Sequence, residues 1–180
     1  LPIGSAEDGL QNANLPRGID EERFARRLRR LAELDAAFAE KHPQRDVAAY
    51  QRAYDEAVRL MRSSDLVAFD IDLETPTMRA AYGETSFGAG CLLARRLVEH
   101  GVRYVEIVSD GWDTHADNFD RLGDLTPAID QGLSALLADL DARGLLQETL
   151  VVLATEFGRT PDIDGDQGRN HYPKAFSSLL

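Results

Sequence analysis

Side chains able to bind a metal gather in two short stretches of the sequence. Ser109-Asp-Gly-Trp-Asp-Thr-His-Ala-Asp-Asn118 carries Asp113 and His115; Thr155-Glu-Phe-Gly-Arg-Thr-Pro161 carries Glu156, and its continuation Gly168-Arg-Asn-His-Tyr-Pro173 carries His171. Two imidazoles with two carboxylates suit zinc, manganese or iron better than calcium or magnesium, which prefer oxygen alone. The Asp-x-His spacing turns both side chains to one point from a loop, and in a strand it places them on one face. Asp113, His115, Glu156 and His171 are therefore the candidate ligands for a divalent metal, with zinc or manganese the first choice. Arg159 and Arg169 lie in the same stretches, where guanidinium groups commonly hold a phosphate, sulfate or carboxylate in bidentate fashion. They are the candidates for stabilising an anion.

Plainer readings compete with these. Asp and Asn close turns and cap helices, so Asp117 or Asn118 also reads as the cap of a following helix. Arg159 and Arg169 also read as counter-charges to Asp162, Asp164 and Asp166, and Lys174 fits either role. Trp112 either packs over the site or anchors its loop. His42, before Pro43, and His100, where a helix C-terminus favours a cation, read as helix-end residues. Asp70 and Asp72 read as loop or cap carboxylates.

The chain of 180 residues holds 31 acidic side chains against 20 Lys plus Arg, a net charge of -11. That length suits one ordinary domain that buries about two thirds of its unfolded surface. The acidic excess argues against a general binder of nucleic-acid backbone, which needs a basic face. A single cysteine, Cys91, excludes an intramolecular disulfide framework and any CxxC site. No apolar run approaches the ~20 residues of a membrane span. The opening on Leu1 and the apolar ending Phe176-Ser-Ser-Leu-Leu180 read as the boundaries of a portion of a longer protein.

The elements that must position the site follow from periodicity. Residues 1–19 read as loop. Asp20 caps a helix whose apolar stripe is Phe24, Leu28, Leu31 and Phe38, with Arg23, Arg26, Arg27, Arg29 and Arg30 mostly off it. Pro43 ends that helix, and Val47, Tyr50, Tyr54, Val58 and Met61 mark a second, antiparallel to the first. Residues 63–87 read as short helices and loops. Residues 88–100 read as a helix closed by Gly101, and 122–143 as another, with Thr126-Pro127 a candidate start and Gly144 the stop. Val102-Arg-Tyr-Val-Glu-Ile-Val108, Leu150-Val-Val-Leu-Ala154 and residues 175–180 read as strands. This order predicts an α/β fold, a mainly parallel sheet flanked by helices and incomplete in this chain, with a helical pair at 20–63 and the site-bearing α/β part at 86–180. Loops at the carboxyl ends of parallel strands form the ligand crevice, so the two polar stretches would meet at one rim.

The same motifs, Gly111-Trp-Asp-Thr-His115 with Asn118, Glu156-Phe-Gly-Arg-Thr-Pro161, Gly168-Arg-Asn-His-Tyr-Pro173 and Cys91-Leu-Leu-Ala-Arg-Arg-Leu-Val-Glu-His-Gly-Val-Arg103, resemble the family called domain of unknown function 1501. The resemblance covers roughly residues 20–180 and points to the C-terminal portion of that family, which is grouped with the alkaline phosphatase and sulfatase superfamily. It implies an alkaline phosphatase-like fold and a metal-dependent hydrolase of phosphate or sulfate esters, acting on a small anionic ester. Asp113 and His115 match the superfamily's carboxylate and histidine pair, and His171 its late histidine. Glu156 and Phe157 fall where most members carry Asp-His, and Phe157 cannot bind a metal, so a second metal site is weakened or lost. The superfamily nucleophile would lie before Leu1; Ser86 and Cys91 are poor substitutes. A catalytically degenerate member acting as a binding or structural module is the alternative. The resemblance also suggests export, and the arginine-rich helical pair suggests a homo-oligomer.

Overall fold

The computed structural model describes residues 3–10, 12–42 and 45–180. Helix dominates: 55% of the described residues are helical and 5% are strand. The chain divides into two compact units, residues 1–4 with 8–70 and residues 5–7 with 71–180.

In the first unit, Asp20 Oδ1 accepts the Arg23 N–H at 2.7 Å and starts α1 (Glu21–Lys41). Glu21 and Glu22 lie at the positive end of the helix dipole, as the capping pattern requires. A second helix, α2 (Arg45–Met61), follows. Arg62, just past its end, lies 3.7 Å from Glu21 and 6.0 Å from the centre of the Phe24 ring, so the two helices run antiparallel. Pro43 lies outside the described residues. His42 caps α1, its ring 4.4 Å from that of Phe38, which is the helix-end role expected of it. Asp70 closes a short 3-10 turn over Ser64–Phe69.

The second unit is built around one buried helix. Thr75 and Thr85 each accept an N–H at 3.1 Å and start α3 (Pro76–Tyr82) and α4 (Ser86–Glu99), the usual work of a threonine N-cap. Cys91, Leu92, Leu93, Ala94 and Leu97 of α4 are buried against α3 and against α5 (Asn118–Ala142), which contributes Leu136 and Leu140. Gly88 lets α4 approach so closely that a methyl group there would lie 2.1 Å from Tyr82 O. Gly101 and Gly144 follow α4 and α5 with φ of 78° and 71°. They are the helix stops read from the sequence. His100 sits at the α4 C-cap. Asp72 pairs with Arg79.

Cys91 is fully buried, and burial pushes its thiol up to about 12. In the native protein at about pH 8 it should therefore resist a thiol reagent and react freely only after denaturant unfolds the chain. Rapid modification without denaturant would contradict the burial of α4.

Three arginines and three carboxylates lock this core. Arg95, 1% exposed, meets Glu74 at 2.7 Å and Asp139 at 2.9 Å, both off the axis of a hydrogen bond, and also binds Glu99. Arg96 binds Glu74, Arg143 bridges Glu99 and Asp139, and the Tyr82 hydroxyl donates to Asp139 at 3.0 Å.

The expected parallel sheet, and with it the alkaline phosphatase-like α/β fold, is not what the chain forms. Strand is confined to β1 (Leu153–Ala154), β2 (Gly158–Arg159), β3 (His171–Tyr172) and β4 (Ser178–Leu179) among the described residues. These make two antiparallel ladders: Leu153 opposite Leu179 with Ala154 opposite Ser178, and Gly158 opposite Tyr172 with Arg159 opposite His171. Residues 102–108 run without a ladder, and no backbone hydrogen bond joins residues 103–110 to another described segment. Ile107 packs beside Gly90 of α4, whereas Tyr104 and Val108 are exposed. The β-branched run sets local preference, but a strand exists only where a second backbone supplies hydrogen bonds, and that partner is not local. The helix read over 122–143, with Thr126-Pro127 a candidate start, begins earlier, at Asn118, with Asp117 as the N-cap its plainer reading allowed and Pro127 inside it. The reason is tertiary. Carbonyls of Asp166 and Gln167 accept the N–H groups of Asp117 and Asn118, each at 3.0 Å. These bonds satisfy donors that a helix start leaves open and fix the chain where α5 begins.

Candidate metal centre

The site lies wholly in the second unit and is assembled from two segments that zip together. In residues 112–118, Thr114 is buried and donates its hydroxyl to Asn118 Oδ1 at 2.7 Å. Thr114 is turned inward while Asp113 and His115 on either side are exposed, and the Thr114 N–H donates to Trp112 O at 3.0 Å, a γ-turn centred on Asp113. Arg121, from the first turn of α5, holds this loop by donating to Gly111 O at 2.9 Å and Asp113 O at 3.2 Å. The Trp112 ring N–H donates to Ser109 at 2.9 Å, so its ring ties down its own loop.

The second segment is the β2–β3 ladder with a tight turn between its two strands. Asp164 Oδ1 accepts the N–H groups of Asp166 at 3.1 Å and Gly168 at 3.0 Å, which makes it a turn-former. The Arg169 N–H then donates to Thr114 O at 3.1 Å. Gly168 is essential to this approach, because a methyl group on it would lie 1.8 Å from His115 O and 2.1 Å from its carbonyl carbon. The ladder does the rest. Arg159 and His171 are directly opposite in an antiparallel pair, so their side chains leave the same face.

That face meets Asp113. His115 Nδ1 lies 2.9 Å and His171 Nε2 3.0 Å from Asp113 Oδ1, and the Arg159 guanidinium donates to the same oxygen. One ligand atom from each of Asp113, His115 and His171 lies within 4.8 Å of the others. All three side chains are exposed. The Arg159 hydrogen bond first, then that of His171 and the neighbouring positive charges, hold the Asp113 carboxyl down at about 2 against an opposing effect of desolvation. Hydrogen bonds and opposite charge both favour the ionised form. Phe157 packs on His171 with ring centres 4.4 Å apart, and the two imidazoles are 4.7 Å apart.

Three of the four ligands read from the sequence are thus brought together, and Glu156 is not among them. Phe157 and Arg159, two residues apart, both reach the site; Glu156 is out of step with that alternation. Neither Arg159 nor Arg169 pairs with Asp162, Asp164 or Asp166 among the described residues. Sequence reading missed Thr114, Arg121 and Gly168. A glycine inside a polar motif, flanked by residues with chemistry, was the available signal for the last.

Fold and site together describe a helix-rich protein with a solvent-facing Asp-His-His group clamped by an arginine. The chain belongs to the family described as "Protein of unknown function (DUF1501)", which it matches over residues 1–180. Nothing matches it among curated proteins or solved structures. Among the described residues no helix is long and apolar enough to cross a membrane.

Proposed function

We propose that Asp113, His115 and His171 form a divalent-metal centre, zinc or manganese first, that serves the hydrolysis of a phosphate or sulfate ester. The observation that carries this reading is the convergence of a carboxylate and two imidazoles from segments 58 residues apart. Their ligand atoms stand 2.9 and 3.0 Å from one carboxylate oxygen. A carboxylate and two imidazoles are donors of the kind that a single tetrahedral ion takes. Three exposed protein ligands leave further coordination positions to water and substrate, the pattern of catalytic rather than closed structural sites. A metal held there would polarise the ester oxygen and lower the pKa of bound water. The kinship with alkaline phosphatases and sulfatases belongs to this proposal and rests on the sequence motifs, not on the fold.

A second reading, an ion-binding module without turnover, draws on Phe157, which packs against His171 where the resemblance places a further ligand. Zinc and manganese titration calorimetry tests both readings. His115→Ala and His171→Ala should each weaken binding by more than about a hundredfold, beyond the loss usual for outer-shell groups. Turnover of aryl phosphates or sulfates by the loaded protein supports hydrolysis; binding without turnover moves the assignment to the module. Absence of binding sinks the metal centre itself.

A further inference from the structure

We infer that the arginine face of α1 is a docking surface for a second copy of this chain, and that it meets the acidic start of α5 on that copy. The observations that carry this are separate from those of the metal centre.

Arg23, Arg27, Arg30, Leu34 and Phe38 follow one another at steps of four, three, four and four, so all five fall on one face of α1. All five are exposed. The ion pairs that involve α1 among the described residues are Arg26 with Glu22 and Glu21 with Arg62. Arg23, Arg27 and Arg30 are thus left uncompensated. The helix buries none of its 21 residues, and Tyr50 and Tyr54 of α2 are exposed as well. Helices in proteins draw most of their stability from covering such a face, and arginine mixed with aromatic and aliphatic side chains is the composition of an interface core.

Charge decides what covers it. The second unit carries 19 acidic side chains against nine Lys plus Arg, whereas the first carries 12 against 11. Nearly all of the net charge of -11 therefore sits in the second unit. Within that unit the Asp117 N–H donates to Asp166 O at 3.0 Å, which sets the turn of Asp162, Asp164 and Asp166 against the start of α5. Asp120 and Asp124 follow on the helix, three and seven residues after Asp117 and on the same face. These carboxylates are exposed, and so are Phe119 and Ile163 among them. An acidic surface interspersed with apolar side chains is the complement of the α1 face. A nucleic acid or an anionic membrane would attract that face but repel the second unit of the same chain, whereas a second copy offers both signs.

Sedimentation velocity of the full chain tests the contact. At about 50 mM salt the protein should associate as its concentration rises, and at about 0.5 M its dissociation constant should be at least about tenfold higher, because screening then acts within a few ångströms. Reversing the first surface, with Arg23→Glu, Arg27→Glu and Arg30→Glu together, should abolish association. Reversing the second, with Asp120→Lys, Asp124→Lys and Asp166→Lys together, should do the same. Mixing the two altered proteins should restore it, since each surface of one then faces the opposite sign on the other; restoration also shows that both variants fold. A mixture that stays monomeric, association indifferent to salt, or an unaltered protein that stays monomeric at low salt would each overturn the inference. Binding of the unaltered protein to phosphatidylserine vesicles, lost with the three arginines, would overturn it too and move the face to a lipid surface.

Discussion

Arg95→Met is expected to cost about 3–5 kcal/mol of stability, the range for removing one partner from a buried ion-pair network. Arg95 is 1% exposed, and Glu74, Glu99 and Asp139 converge on it from three parts of the second unit. Methionine fills much of the same volume, so the loss isolates the charge: three carboxylates would be left sharing Arg96 and Arg143. The exposed Arg79–Asp72 pair is the matched control. Arg79→Met there should cost under about 1 kcal/mol, as exposed pairs do. Urea unfolding followed by circular dichroism measures both, and a loss at Arg95 no larger than that at Arg79 would refute the role given to the network.

The same network sets the acid limit of stability. Burial alone raises the carboxyl groups of Glu74 and Asp139. Hydrogen bonds and charge from Arg95 and Arg96 on the first, and from Arg143, Tyr82 and Arg95 on the second, outweigh it and hold both below their ordinary values. A carboxylate whose folded pKa is depressed stabilises the folded state above its unfolded pKa and loses that contribution as pH falls through the folded value. Stability should thus be flat above about pH 5 and decline progressively below about pH 4. In Arg95→Met that acid-side decline should be shallower.

Gly168→Ala should disable the proposed metal centre while leaving the α4 core intact. The added methyl group would lie 1.8 Å from a backbone oxygen of His115, and no flexible side chain is there to yield. The segments carrying His115 and His171 must therefore separate, and a shift of about 1 Å in a ligand constellation is enough to lose productive geometry. Zinc affinity should fall at least about tenfold, as for losses of supporting groups around a metal. Gly165→Ala, in the same turn but with open space around it, should bind zinc normally. Helical circular dichroism should be unchanged in Gly165→Ala and lose no more than the first turn of α5 in Gly168→Ala, because the neighbouring Asp166 and Gln167 carbonyls hold that turn while the α4 core lies elsewhere. Equal zinc binding by the two variants would show that the close approach at Gly168 does not hold the site together.

Much of the helical structure was legible. Asp20 and the stripe from Phe24 to Phe38 announce α1, and Gly101 and Gly144 mark the ends of α4 and α5, because caps and apolar periodicity are properties of adjacent residues. The start of α5 was only half legible: Asp117, one of the two residues offered as a cap, is its N-cap, although its side chain makes no capping bond. It depends on carbonyls of Asp166 and Gln167, far along the chain, and Pro127 was a misleading local cue. Cys91 and Arg95 show a related gap, since sequence types them as thiol and cation, and only burial makes one inert and the other the centre of a charge network.

By itself the sequence determined the helices and the chemical types available to the site: an Asp-x-His pair, a later histidine and two arginines. Only the tertiary structure decided how they are used. It joined Asp113, His115 and His171, left Glu156 out, spent Arg159 on Asp113 and left the Arg169 side chain without a partner among the described residues. It also left residues 102–108 without a ladder and reduced the sheet, among the described residues, to two short antiparallel ladders. Capping and periodicity act within a few residues, so a chain carries them in plain view. Strand pairing, the convergence of candidate ligands and the allotment of a counter-charge depend on which distant segments touch, and a close approach such as that of Gly168 to His115 exists only once they do.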